Sequence, residues 1–146
     1  MMQISILNRQ RKFPLNENDV SRWVTRILLM EQIPDAEIGL VFVNNRRIRQ
    51  VNHDHRQINQ ATDVLAFAMR EGIGGELHPN FLGDVMISLE RTESDARRYG
   101  RDYSSQLLTL LIHGTLHLLG YDHTRSLAEE ERMQTRENQI YNAIAQ

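Results

Sequence analysis

The strongest apolar signal in the chain is Leu107-Leu108-Thr109-Leu110-Leu111-Ile112, continued by Leu116, Leu118 and Leu119. Drawn as a helix, it is apolar on nearly every side, the pattern of a helix enclosed by the rest of the fold. Asp102 is placed to cap its start, and Gly120 follows where it should stop, because glycine enters the left-handed conformation without penalty. The other helices are one-sided. Val20, Trp23, Val24, Ile27 and Leu28 recur at i, i+3, i+4, i+7 and i+8, with Asn16 as cap and Asp19 in the first turn, so Trp23 reads as core. Pro34 breaks the chain after it. Asn44 can cap a second helix, with Ile48 and Val51 inward and Arg46, Arg47 and Arg49 outward. Ser88 can cap a third, from Leu89 to Tyr99, ending at Gly100. Ser126-Leu127-Ala128-Glu129 forms a capping box for a last helix reaching about Ala143.

Between the helices lie four stretches rich in β-branched and apolar residues: Ile4–Leu7, Glu37–Val43, Thr62–Ala68 and Leu82–Ser88. Asn52 to Gln60 is polar without periodicity and reads as a short loop. Residues 70 to 81 hold three glycines and one proline and read as a mobile loop. No internal repeat, linker or low-complexity tract interrupts the series. The expected architecture is α+β: a four-stranded mixed, mostly parallel sheet packed by about five helices, with the apolar helix at its centre, in one domain over residues 1–146.

Composition sharpens this picture only in places. A chain of 146 residues, 40% hydrophobic and 25% charged, suits one ordinary globular domain. No apolar run approaches membrane-spanning length, and the N-terminus lacks the pattern of a signal peptide. With no cysteine there are no disulfides or thiolate ligands, which fits a reducing cytoplasm. A net charge of −2 is not the footprint of a strong general nucleic-acid binder. Yet of the 17 basic residues only Lys12 is a lysine. Arginine grips phosphate with a planar fork and stacks on bases, so the bias is compatible with an RNA-facing role as well as with solvated helix faces.

The candidate chemistry sits at the end of the apolar helix. His113 and His117 are four apart, which puts both imidazoles on one face, about 6 Å apart along the axis. The turn at Gly120 can bring His123 back towards them. Three convergent imidazoles with no fourth protein ligand form the open arrangement of a catalytic metal site. Half of the six histidines fall within these eleven residues, which weighs against a hydrogen-bonded core or an ordinary pH-sensitive patch. Zn²⁺ suits neutral imidazoles, although the spacing alone equally admits Ni²⁺ or Co²⁺. His53, Asp54 and His55 are a weaker second grouping, for which a polar loop is the simpler account.

Two families share the histidine spacing. Metzincin proteases carry His-Glu-x-x-His-x-x-Gly-x-x-His with the Glu as general base, but here that position is Gly114. Residue for residue, His113-Gly114-Thr115-Leu116-His117-Leu118-Leu119-Gly120-Tyr121-Asp122-His123 more closely resembles the signature of the YbeY family of bacterial endoribonucleases. Arg56 followed by Thr62-Asp63-Val64-Leu65 and Phe67 resembles that family too, as does Gly83-Asp84-Val85 with Ile87-Ser88. Ala61, Ala66 and Ala68 depart from it, standing where the family has Pro, Ser and Pro, which removes any hydroxyl role at position 66.

The resemblance covers roughly residues 40 to 140 and implies a zincin-like fold. It implies a zinc-dependent, single-strand-specific endoribonuclease acting in ribosomal RNA maturation, at the 16S rRNA 3′ end, and in ribosome quality control. Its partners would be single-stranded ribosomal RNA, the ribosomal subunit and assembly proteins. Phosphodiester cleavage passes through a state with extra negative charge, which a fixed arginine beside the metal stabilises. Arg56 is the candidate, on the chain's own pattern and on the resemblance; the bland alternative is an exposed loop arginine. Without a carboxylate at position 114, proton transfer falls to metal-activated water, the RNA 2′-hydroxyl or another carboxylate. Asp122 is a candidate to orient a ligand imidazole, while Asp63 and Asp84 read as structural. The competing functions are a zincin-type metallopeptidase, disfavoured by Gly114, and a non-enzymatic ribosome-assembly factor with a structural metal.

Overall fold

A computed structural model describes residues 1–56, 62–69 and 80–145, with Arg56 described by its backbone only. Four strands, β1 (Gln3–Asn8), β2 (Glu37–Val43), β3 (Val64–Ala68) and β4 (Phe81–Ser88), form one sheet in the order β1-β2-β4-β3. β1 with β2 and β2 with β4 run parallel, while β3 lies antiparallel to β4 at the edge, so the sheet is mixed and mostly parallel as expected. The central strands are those whose sequence is most continuously apolar. β2 buries Ile38, Leu40 and Phe42 and β4 buries Leu82, Val85 and Ile87 on one face of the sheet, while Val43 is buried on the other.

Five helices complete the fold: α1 (Glu17–Met30), α2 (Asn45–Arg56), α3 (Leu89–Arg98), α4 (Tyr103–Leu118) and α5 (Leu127–Ala145). Val20, Val24 and Leu28 of α1 and Leu107, Leu110 and Leu111 of α4 share a core cluster with one face of the sheet. α2 covers part of the opposite face, where Ile48 and Val51 meet Val43 and Leu65. α5 closes over α4 from outside, packing Met133, Ile140 and Ile144 against Ile27, Leu108, Ile112 and Leu116. α4 is thereby enclosed between the sheet and two helices. From Gln106 to Leu118 every residue is buried except Thr109, His113 and His117, which are spaced four apart on one line.

α4 also sits unusually close to the sheet. A Cβ added at Gly114 would lie 2.6 Å from Val85 Cγ1 and 3.2 Å from Val64 Cγ2. Both are β-branched side chains with one strongly preferred rotamer, so they have little room to give. Position 114 faces the sheet and has space for hydrogen alone.

Most of the caps form as the sequence suggests. Asn16, Asn44, Ser88 and Ser126 accept from the amides of Asp19, Arg47, Arg91 and Glu129 at 3.0, 2.8, 3.1 and 3.1 Å. Asp102 occupies the cap position of α4 but makes no side-chain cap bond. One boundary differs substantially. The polar stretch read as a loop from Asn52 continues α2 as far as Arg56. Val51 and Asn52 are buried while His53, Asp54 and His55 are exposed, so the polarity marks the solvated face of a helix and not its end. The rest of that stretch, residues 57–61, and residues 70–79 of the expected glycine-rich loop lie outside the described residues. Among the described residues no helix is long and apolar enough to cross a membrane.

Candidate metal centre

α4 delivers two rings and the turn after it delivers the third. His113 and His117 stand one turn apart with ring centroids 5.3 Å from each other. The helix then closes on itself: the amides of Gly120 and Tyr121 donate to His117 O and Leu116 O, both at 3.1 Å, and Gly120 takes φ 99°. This is the left-handed stop that the glycine was expected to supply.

The returning chain is anchored beyond the turn. Tyr121 donates its hydroxyl to Glu31 Oε2 at 3.3 Å, and Arg136 of α5 donates to Glu31 Oε1 at 2.6 Å and to Met30 O at 3.0 Å. The Arg132 guanidinium lies 4.6 Å over the Tyr121 ring. Asp122 Oδ1 accepts from the Thr124 hydroxyl at 2.6 Å and from its amide at 2.9 Å, and these bonds hold the Asp122 carboxyl below the usual carboxylate range. Asp122 therefore shapes the turn that presents His123, with Oδ1 accepting from Thr124 and Oδ2 3.5 Å from Arg125 Nε.

With the turn so fixed, the His123 ring lies 5.2 Å from each of the other two. One nitrogen from each ring falls within 4.8 Å of the others, the one such grouping among the described residues. His117 Nε2 and His123 Nδ1 are 3.3 Å apart. Two nitrogens bound to one tetrahedral zinc, with bonds of about 2.0–2.1 Å, stand about 3.3–3.4 Å from each other. The His117–His123 spacing matches that value, and three imidazoles are a donor set that suits such an ion and leaves a coordination position free.

The cluster lines a cavity of about 220 Å³ whose other wall is Thr62 and Asp63 together with Val64 and Ala66 of β3. A second hollow of about 430 Å³ shares Ala66, His117 and His123 and extends past Asp122 to Arg125. Together they make a cleft between the edge strand and the turn. Ala66, which stands where the family pattern has a serine, is common to both hollows.

The remaining candidates fall elsewhere. Arg56 is the last residue of α2, not part of a loop, and its side chain lies outside the described residues. α2 ends beside the edge strand, since the His55 and Phe67 rings are 5.7 Å apart. His53 and Asp54 form an exposed pair on α2 at 3.3 Å and belong to no ligand group among the described residues. Asp84 is the β4 neighbour of Val85 and so points to the other sheet face, over Gly39, where burial raises its carboxyl pKa. Sequence reasoning missed Glu137, whose Oε2 lies 2.9 Å from His113 Nδ1. A signal was present: Glu137 stands four residues after Met133 and three before Ile140, a charge on an apolar stripe.

The geometry also bears on the peptidase reading. The general-base position of the metzincin motif is Gly114, and it is filled by the sheet, so no carboxylate can stand there without moving α4.

Comparison with known proteins finds relatives over nearly the whole chain. The family model described as Endoribonuclease YbeY matches residues 5–145, a longer span than the motif resemblance alone. A protein of that name from Syntrophotalea carbinolica is 41% identical over 145 residues, covering 99% of this chain and 97% of its own. Another, from Geobacter sulfurreducens, is 40% identical over 141 residues, covering 96% and 94%. A solution structure of a Thermotoga maritima protein shares the fold with a TM-score of 0.68 at 21% identity, covering 97% of this chain and 89% of its own.

Proposed function

The chain belongs to the Endoribonuclease YbeY family, enzymes that hydrolyse RNA, and from that premise we propose a zinc-dependent, single-strand-specific endoribonuclease acting in ribosomal RNA maturation. On this reading one domain, residues 1–146, acts in the cytoplasm at the 16S rRNA 3′ end and in ribosome quality control. It meets the ribosomal subunit and its assembly proteins there. The observation that carries the reading is the three-imidazole cluster opening onto a cleft.

His113, His117 and His123 hold the ion on this reading. When bound, Zn²⁺ supplies Lewis acidity to a phosphoryl oxygen and lowers the pKa of water. The cleft between β3 and the His123 turn orients the RNA strand across the cluster. Arg56 neutralises the charge that builds on the phosphate during cleavage. What supports Arg56 is the end of α2 beside β3, the strand whose other face lines the cavity. A purely structural zinc is disfavoured, because such sites are closed by four protein ligands and this cluster offers three.

The test is single-turnover cleavage of a short single-stranded RNA at saturating protein, with elemental analysis alongside and casein as the control substrate. The expected result is about one zinc per chain, RNA cleaved and casein untouched. Removing zinc with a chelator should abolish cleavage and restoring it should bring cleavage back. Arg56→Ala should keep metal and fold but lose about 10²–10³ in rate, with Arg56→Lys recovering part because a point charge lacks the bidentate fork. Full zinc occupancy in His123→Ala would overturn the ligand set, and parental cleavage by Arg56→Ala would make that residue a bystander.

A further inference from the structure

α5 buries Met133, Ile140 and Ile144 along one line against α1 and α4. Residue 137 falls on that line, where an aliphatic side chain would complete the stripe. A carboxylate stands there instead, with 23% of the side chain exposed against 28% for His113. A half-buried carboxylate on an apolar stripe calls for a donor within reach. The neighbouring cations of α5 are turned elsewhere, Arg136 to Glu31 and Arg132 to the Tyr121 ring. The group that meets the carboxylate is His113 Nδ1, at 2.9 Å.

We propose that Glu137 is a positioning residue for the metal centre. It fixes His113 as the tautomer protonated at Nδ1 and so turns the Nε2 lone pair towards His117 and His123. The inference deepens the reading of the cluster as a metal site and rests on it. A neutral imidazole carries one N–H, so a carboxylate that can only accept decides which nitrogen keeps the proton. The contact also holds the ring in one orientation. His113 is thereby oriented by two elements, α4 through its backbone and α5 through Glu137.

Two substitutions separate this role from a structural one. Glu137→Leu completes the apolar stripe and removes the acceptor. Glu137→Gln keeps an oxygen that still accepts from Nδ1–H but carries no charge. Zinc affinity is measured by competition with a chromophoric chelator, and melting and imidazole ¹⁵N spectra are recorded on the metal-free proteins. Glu137→Leu should melt no lower than the parent yet bind zinc about 10–100-fold more weakly, and its His113 should lose the Nδ1–H form. Glu137→Gln should lie between the two. Parental zinc affinity in Glu137→Leu, or an unchanged His113 tautomer, overturns the proposal. So does a fall in melting temperature with affinity intact, since that is the signature of a merely structural contact. His113→Ala in the same competition keeps the two readings apart. If it loses zinc while Glu137→Leu does not, Glu137 alone is misassigned. If it too binds as the parent does, the metal site itself is wrong.

Discussion

α4 and α5 pack against each other beside the histidine cluster, but they are held in opposite ways. From Gln106 onward α4 is buried on nearly all sides, its one partly exposed line being Thr109, His113 and His117. α5 is buried along a single stripe and otherwise presents acidic and basic residues to solvent. The enclosed helix carries two of the three rings; the surface helix contributes a carboxylate to one of them and, through Arg136, a hold on the turn that carries the third. The difference assigns separate tasks. A helix with no freedom to shift sets where His113 and His117 stand, and an accessible one meets the first of them through Glu137.

Three substitutions probe that contrast. The largest effect is expected at Leu111, fully buried in α4: Leu111→Ala should cost about 2–5 kcal/mol through the cavity left behind. Equilibrium urea unfolding reads it, and a midpoint unchanged from the parent would mean that α4 is not enclosed. Next comes Gly114→Ala. Crowding against Val85 and Val64 should cost about 1–3 kcal/mol, partly offset by about 1 kcal/mol of improved helix propensity. The net should still be a loss, whereas a gain in stability would show that α4 can move off the sheet. The smallest effect is expected at Glu130, exposed on α5, where Glu130→Ala should change stability by no more than about 0.5 kcal/mol. A loss comparable with that of Leu111→Ala would erase the distinction between the helices.

The same contrast explains what the sequence made legible. α4 and its site could be read in advance because the information is local: an apolar run, two histidines one turn apart and a glycine where the chain must reverse. The caps at Asn16, Asn44, Ser88 and Ser126 are local too, and all four form. The end of α2 could not be read, because His53, Asp54 and His55 on the wet face of a helix are as polar as a loop. The order of the strands depends on pairings between distant segments and was open beyond being mostly parallel. Glu137 escaped because its partner is 24 residues away and α5 is rich in acids, most of them solvated. Gly114 was legible as a missing base, but the reason for its smallness lies in Val85 and Val64, which no local pattern reveals.

The bare contact at Gly114 has a consequence for the dimensions of the cleft. With only a hydrogen at position 114, the Val85 and Val64 side chains alone separate α4 from the sheet beside the cavity. The hydrophobic interior acts as a gauge block for the cleft. A methyl group added at Val85, which is wholly buried, would press on α4 at Gly114 without itself reaching the cavity surface. The width of the cavity is in this sense machined partly from the inside, by the wholly buried Val85 behind the half-buried Val64 that lines it.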